Sequence, residues 1–364
     1  MAQVPNIENL TVNPVEVADL REVIAAAVYQ SPDFLKFHEV VDGMDKKTQI
    51  LLDDSAGKAG WKATGCAPIA SGGMDIKLAQ LYWETQIIED TLEFCQAELN
   101  ANFKPLVNKN AKDRFGALEE QEAINVFVKA KVEEYLKAAL ERLIWLGNTA
   151  AENLADGGNV VDTVNVKFYT AIDGIWAQAM ASVTAGKTPH LNVTRNEQAT
   201  KALQLALTDA EAFAIVKGVY DNGSPILKSD PNAYIRVTPA VYHGYKNYIT
   251  SGEFANGGFS EKVINGLSTV AYQGVPVFTS LLESKYILED FVVSDGGSPE
   301  VLTYDFPHRA IMASPSLTPV ATINQDDFGT LEQFYVQKER KSYVRFDFAI
   351  DAKVVRPDLI SVAY

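Results

Sequence analysis

Apolar residues recur along this chain in two rhythms, and each marks a different kind of element. Between residues 14 and 29, Val17, Leu20, Ile24 and Val28 fall on one helical face, with Asn13 placed to cap and Pro14 at the first helical position. The helical rhythm is clearest at 118–146, LEEQEAINVFVKAKVEEYLKAALERLIWL. There Ile124, Phe127, Val128, Val132, Tyr135, Leu136, Ala139, Leu143 and Leu146 recur every three to four positions. Glu119, Glu120 and Glu122 favour the positive end of the helix dipole, and Gly147 marks its stop. Such a helix is roughly 40 Å long at 1.5 Å per residue, enough to span a domain. Near the C-terminus the rhythm changes. Val344, Phe346, Phe348, Ile350, Ala352 and Val354 alternate with Tyr343, Arg345, Asp347, Ala349, Asp351 and Lys353. That period of two predicts a half-buried strand with one wet face. Arg356-Pro357-Asp358 breaks it, and LISVAY closes the chain as a further short strand.

Weaker patterns fill the remainder. Residues 30–55 are mixed and read as an arm. The Gly/Ala/Ser-rich stretch 53–75 has a single large aromatic, Trp61, and cannot bury much surface alone. Residues 76–88 suit a strand centred on Tyr82, Trp83, Ile87 and Ile88, and 91–103 suit a short helix. Together 53–90 read as a long extended excursion. TVNVKFYT (163–170) is strand-like and GIWAQAMASV (174–183) helix-like. Thr208 and Glu211 form a capping box for a helix that Asn222-Gly223 ends. AYIRVT (233–238) predicts a strand, Thr238 a cap, and Pro239 the start of a helix bearing Val241, Tyr245, Tyr248 and Ile249. AYQGVPVFT (271–279) predicts another strand, interrupted by Gly274 and Pro276. The segment 196–282 therefore reads as an α/β unit of its own.

Composition narrows the class. The chain has 364 residues, room for roughly two domains. Its 47% hydrophobic and 22% charged residues are those of a folded protein. Lys plus Arg is 32 against 47 Asp plus Glu, a net charge of −15, without the basic excess that drives sequence-independent binding to phosphates. Two cysteines, Cys66 and Cys95, make no disulfide framework or four-cysteine zinc site. The four histidines, His38, His190, His243 and His308, have no partner at metal-ligand spacing. The start MAQVPNIENLTVNP has no basic stretch followed by an apolar core, and no apolar run nears the roughly 18 residues of a membrane span. Synthesis and folding in a cytoplasm are expected. The Asn-x-Ser/Thr triplets at Asn9, Asn192 and Asn222 are then chance matches.

Candidate chemistry is sparse. ASVTAGKT (181–188) fits a relaxed phosphate-loop pattern with Ala in place of the first Gly. Such a loop must leave a strand and enter a helix so that backbone N–H groups hold the phosphates. Here a helical pattern precedes it and Pro189 follows, so both flanks argue for chance. Asp53-Asp54 and Asp326-Asp327 read as solvated turn pairs rather than acid/base or metal pairs, and Cys95, near Trp83 and Phe94, as a small buried hydrophobe. There is no G-x-S-x-G, H-E-x-x-H or G-x-G-x-x-G motif. No catalytic, cofactor-binding or metal residue is assigned. The excursion stands out instead, because a subunit keeps such a segment only where a surface exists to lay it on. Trp61, Tyr82 and Trp83 are its candidate assembly-interface residues.

The order of these parts resembles the major capsid proteins of tailed bacteriophages, the HK97-like fold family. The resemblance runs over most of the chain. Residues 118–147, ending IWLGN, look like that family's spine helix, and IDGIW (172–176) like the turn after it. NAYIRVTPAVYHGYKNYI with AYQGVPVFTS is similar to its axial domain, and FYVQKERKSYVRFDFAIDAKVVRPDLISVAY to its closing strands. The resemblance implies an α+β architecture. Its parts would be an N-terminal arm (1–52), an extended β-loop (53–90), a peripheral domain (91–195) holding the spine helix, an axial domain (196–282), and a return to the peripheral domain (283–364). It implies a structural protein, not an enzyme, self-assembling through hexamers and pentamers into an icosahedral head around double-stranded DNA. Portal and scaffolding or decoration proteins would be partners, with no cofactor, no membrane and no sequence-specific DNA contact. Assembly would take place in the host cytoplasm and the product would be the virion. No long charged helical segment precedes the arm, so scaffolding would be separate or dispensable. Some members cross-link a loop Lys to a neighbour's Asn. Lys58 and Lys62 lie in that region, but no acidic partner is evident. An encapsulin-like shell enclosing cargo enzymes shares the fold and stands as the alternative. A nucleotide-binding enzyme built on Lys187 is the alternative of another class.

Overall fold

The computed structural model describes residues 29, 31–44, 48–53, 56–57, 74–75, 78–95, 120–250, 260–264, 267–297, 300–323, 331–336 and 341–364. Two sheets organise them. The first is built on the alternating C-terminal segment. Val40–Val41 (β1), Gln86–Cys95 (β4), Val320–Ala321 (β11) and Leu331–Val336 (β12) surround Lys341–Ala352 (β13). β13 is antiparallel to β4 over ten residues, from Lys341 opposite Cys95 to Ile350 opposite Gln86. It is antiparallel to β12 as well, and β1 joins through β11. Val344, Phe346, Phe348, Ile350 and Ala352 are buried, as the period of two predicts. Two positions of the wet face are dry: Ala349 and Asp351 are 8% and 2% exposed.

The second sheet has seven strands. In spatial order they are His190–Leu191 (β5), Ser361–Ala363 (β14), Ala310–Ala313 (β10), Tyr234–Val237 (β6), Val275–Thr279 (β9), Leu267–Tyr272 (β8) and Ser260–Ile264 (β7). The unit expected at 196–282 therefore does not close on itself, because β14, β10 and β5 complete its sheet. β6 and β10 are buried at every residue, so both faces of the sheet are covered. Asp209–Asn222 (α3) and Pro239–Thr250 (α4) pack together on one face. The capping box of α3 forms as expected, with Glu211 N–H donating to the Thr208 hydroxyl and Thr208 N–H to the Glu211 carboxylate. Helix α4 begins at Pro239, but the Thr238 hydroxyl is buried without a hydrogen-bond partner and caps nothing.

Glu120–Leu146 (α1) is the predicted long helix, 27 residues in one piece. Its C-terminal half lies in the core, with Leu136, Leu140, Ile144 and Trp145 all at 1% exposure or less. Gly147 ends it and touches the start of Ile175–Thr184 (α2). Gly174 N–H donates to the Gly147 carbonyl at 2.8 Å. A Cβ on Gly147 would lie 2.5 Å from the Leu143 carbonyl oxygen and 2.6 Å from that of Ile172. The two helices thus meet backbone to backbone, which explains glycine in both LGN and DGI.

Sequence patterns misread four places. Residues 91–95 are strand, not helix, because pairing along β13 outweighs local propensity. TVNVKFYT holds a single 3₁₀ turn, Val166–Phe168, fixed by Lys167 N–H donating to the Asn165 side chain. AYQGVPVFT is a hairpin rather than one strand. Gln273 and Gly274 take φ of 49° and 83°, the left-handed pair of a two-residue turn, and Tyr272 sits opposite Val275. Leu281–Asp290 (α5) had no clear signal. Of the helix expected at 14–29, only Tyr29 is among the described residues, and it is helical.

Arg236, on β6 and 2% exposed, ties these parts together. Its guanidinium bonds Glu141 of α1 and, at 2.8 Å, Glu283 of α5. It lies 4.0 Å from the Trp145 ring centroid and 4.8 Å from that of Phe37. Trp176 of α2 donates to Glu283 at 2.5 Å, and Ser280 to Glu141 at 2.6 Å. Burial alone would raise the Glu141 carboxyl, but Arg236 overrides it and holds it below the usual carboxylate range. The same guanidinium acts on His38, which is 2% exposed, with Nδ1 2.9 Å from the Thr318 carbonyl oxygen. Burial, aided by Arg236, pushes the His38 ring down to about 4.

Two outcomes are expected. Gly147→Ala keeps an allowed backbone but forces carbonyls apart, and should cost about 1–3 kcal/mol by chemical denaturation. An unchanged midpoint would remove the close approach. His38 is neutral in the folded state and has an ordinary value near 6.5 when unfolded. Its contribution is complete above about 6.5 and is lost as pH falls toward 4, by up to about 1.4 kcal/mol per pH unit. Asp351, which burial raises, works in the opposite direction at lower pH. Stability curves at pH 7, 5.5 and 4.5 should therefore be compared between the wild type and His38→Gln, and the variant's curve should be the flatter.

Candidate functional site

The first sheet carries the feature that the subunit itself leaves unexplained. Thr48–Asp53 (β2) pairs antiparallel with Leu78–Trp83 (β3), Thr48 opposite Trp83 and Asp53 opposite Leu78. Further out, Ala56–Gly57 pairs with Met74–Asp75. The two registers belong to one hairpin, and among the described residues no other element packs broadly against it. A two-stranded ribbon is marginal in water by itself. The predicted strand at 76–88 is in fact two strands, bent at Glu84-Thr85, and β4 carries on from the bend into the sheet.

The root of the hairpin is polar and specific. Glu84 N–H donates to the Asp351 carboxylate at 2.8 Å, and the Thr85 hydroxyl donates to the Met44 carbonyl. Lys353 lies 3.3 Å from the Asp351 carboxylate. This explains why Asp351 is dry: the bend lies over that end of β13. Burial raises the Asp351 carboxyl, and the Glu84 N–H and Lys353 oppose the shift. Beyond the root, Tyr135 of α1 donates to Asp90 of β4 at 2.7 Å. Burial first, then that bond, pushes the Tyr135 phenol up to about 12. On the outer face, Glu89–Arg345 and Glu93–Lys341 bridge β4 to β13, exposed pairs worth little in stability.

The three aromatics singled out in the sequence separate. Trp83 closes the hairpin's base and is 2% exposed within its own subunit. Tyr82, its neighbour on the opposite face of the strand, is 38% exposed. Trp61 lies outside the described residues, as do Lys58, Lys62, Cys66, Asp54 and the Asp326-Asp327 pair. Sequence reasoning missed Asp351, which it placed in water, and Ile87, which is 64% exposed on β4. A carboxylate inside an otherwise apolar run of β13, IDA, was the available signal for Asp351.

The AGKT stretch is a helix end. Ala185 N–H donates to the Ala181 carbonyl, Gly186 N–H to Val183 and Lys187 N–H to Ser182, with Gly186 left-handed at φ 68°. Carbonyls and the negative end of the α2 dipole therefore face this loop, the reverse of a phosphate cradle. Thr188 is buried and donates to the Pro357 carbonyl at 2.8 Å. Among the described residues no three His, Cys, Asp or Glu side chains converge as metal ligands. No helix among them is long and apolar enough to cross a membrane.

No family model matches the chain, and no curated protein matches it. Solved structures do. The subunit of the satellite phage P4 procapsid, a particle that includes the size determination protein, aligns over 95% of this chain and 97% of its own. The TM-score is 0.52 at 10% identity. The fold is that of phage capsid proteins. The capsid protein of an empty GTA particle covers 100% of this chain and 94% of its own, with a TM-score of 0.46 at 10% identity. The SrpI encapsulin of Synechococcus elongatus covers 100% and 91%, with 0.39 at 8% identity. Within a mixed helix-and-sheet capsid fold, the 48–83 hairpin and its Asp351 root are the outlying feature.

Lys187→Ala should leave the melting temperature and any ATP titration signal unchanged. ATP binding present in the wild type and lost in the variant would reverse the reading of that loop.

Proposed function

We propose that this chain is the major capsid protein of a tailed bacteriophage, self-assembling into an icosahedral head that encloses double-stranded DNA. The observation that carries the reading is the end-to-end overlap with a procapsid subunit, 95% of one chain and 97% of the other, at a TM-score of 0.52. The hairpin supports it physically, since among the described residues no other element packs broadly against this ribbon, and a neighbour's surface would supply that packing. In HK97-like terms, 1–52 is the N-terminal arm and 53–90 the extended loop. Residues 91–195 are the peripheral domain with α1 as the spine, 196–282 supplies α3, α4 and four strands of the axial domain, and 283–364 is the return, which also contributes β10 and β14 to the axial sheet. The role is structural, with no catalysis.

Among the described residues of the hairpin, Tyr82 is an aromatic that is 38% exposed and would contribute contact area to a neighbour. Trp83 acts from beneath, fixing the strand that presents Tyr82. Single contacts of this kind can be weak, micromolar or about −8 kcal/mol each. A closed shell engages several per subunit, and avidity does the rest. The partners are further copies in hexamers and pentamers, a portal, and scaffolding or decoration proteins. The net charge of −15 suits a wall that does not hold its DNA tightly. The location is the virion, after assembly in the host cytoplasm.

Deleting 55–74 and joining the ends with a short turn should spare both sheets and abolish closed shells. Circular dichroism should stay near normal, and negative-stain images should change from shells to monomers or small rings. Shells of normal size would dismiss the hairpin as an assembly element. Extracting wild-type particles for nucleic acid distinguishes the phage head from an encapsulin-like compartment, in which protein cargo would be found.

A further inference from the structure

Arg142 of α1 is half-buried, with its guanidinium set among three aromatic rings. Its Cζ lies 5.0 Å from the Phe168 ring centroid, 5.7 Å from that of Tyr286 and 5.9 Å from that of Tyr169. Nε donates to the Phe168 carbonyl at 3.3 Å. Among the described residues no carboxylate pairs with it. The Asp290 carboxylate, beside Tyr169, already accepts that residue's hydroxyl. The contrast with Arg236 is sharp. Arg236 has two carboxylates, one of them Glu141, the residue next to Arg142 in the chain. Arg142 is held in position by rings and a carbonyl while its terminal nitrogens Nη1 and Nη2 stay uncommitted. A guanidinium fixed in this way loses little further freedom when an acceptor arrives.

Apolar surface surrounds it. α5 packs along α1, and Tyr286 lies one helical turn after Leu282. Leu281 and Leu282 are 72% and 39% exposed, and Phe168, against the guanidinium, is 44% exposed. Leu281 is the most exposed large apolar side chain among the described residues. Arginine and aromatic rings within exposed apolar area are the composition of an interface centre, and such an area marks a surface that something covers. The neighbouring charges on the two helices cancel, Lys137 with Glu133 and Lys285 with Glu289. A nucleic-acid backbone would meet as many carboxylates as ammonium groups there, whereas a single carboxylate fits the one uncommitted cation. A second copy of this chain is a rich source of carboxylates, with 47 Asp plus Glu against 32 Lys plus Arg.

We propose, on the capsid reading, that Arg142 anchors a contact between copies: a carboxylate of a neighbouring subunit takes Nη1 and Nη2, and that neighbour's apolar side chains cover Leu281, Leu282 and Phe168. The paired groups are charge-assisted and sheltered by the rings. An arginine that seeks a carboxylate cannot be satisfied by the same arginine of its neighbour. The contact is therefore heterologous, joining unlike patches, the kind that closes rings.

The test assembles purified full-length wild type, Arg142→Gln and Arg142→Lys over a range of concentrations, read by light scattering and negative stain. Arg142→Gln should raise the concentration needed for particles at least about tenfold, with Arg142→Lys in between. Melting temperatures of the unassembled subunits check that folding is kept. Particles from Arg142→Gln at the wild-type concentration overturn the proposal and leave the capsid reading standing. A wild type that never self-associates defeats both. Should Arg142→Gln misfold, shells of Arg142→Lys mixed from nitrogen-14 and nitrogen-15 subunits are treated with a carbodiimide, which joins an amine to an adjacent carboxylate. Mass spectrometry should find position 142 linked to an Asp or Glu, with one peptide light and the other heavy. No link at 142, or links only within one chain, overturns the proposal. Binding of a labelled DNA duplex that Arg142→Gln abolishes overturns it in favour of phosphate.

Discussion

A single guanidinium in the interior sets the terms for this subunit. Arg236 is 2% exposed, so its charge is tolerated only while Glu141 and Glu283 both face it and Trp145 and Phe37 stack on it. Those four residues belong to the long helix, to α5 and to the segment entering from the N-terminus. The arginine itself belongs to the seven-stranded sheet. A well-packed apolar residue would have joined the same elements at less desolvation cost. What the ion cluster adds is direction. Leucines can slide past one another, whereas a guanidinium with two carboxylates and two rings fixes how α1 and α5 lie over β6.

The first sheet relies on a similar device at smaller scale. Asp351 is the only carboxylate on β13 that is buried, and it receives the backbone N–H of Glu84. The bend between β3 and β4 is thereby held to one point on β13. The ten-residue ladder between β4 and β13 extends that hold along the sheet. The hairpin thus has a stiff root, and among the described residues no comparable hold is found further out along it.

Much of this was legible in the chain. The 118–146 heptad-like rhythm gave α1 nearly to the residue, the Thr208/Glu211 pair gave α3, and the alternation from Val344 to Ala352 gave β13. Each is a signal contained within its own element. Failures arose where the deciding partner was distant. Residues 91–95 are strand because β13 lies beside them. Asp351 is dry because the 84–85 bend lies against it. Nothing local in AYIRVT marks Arg236 as the centre of a buried cluster, since its carboxylates lie 95 residues before it and 47 after. Of the interface aromatics, alternation placed Tyr82 and Trp83 on opposite faces of one strand. Which face was wet depended on packing that no local pattern encodes.

The order of strands in the second sheet ties its closure to the first. β13 completes the first sheet, and only nine residues later β14 enters the second between β5 and β10. β14 is an interior strand, hydrogen-bonded on both sides. Until it is seated, the seven-stranded sheet keeps a gap between Leu191 and Ala310, with an unpaired edge on each side of it. Releasing this short segment would therefore open a sheet from its middle rather than fray its rim, and β5 would lose its one neighbour in the sheet.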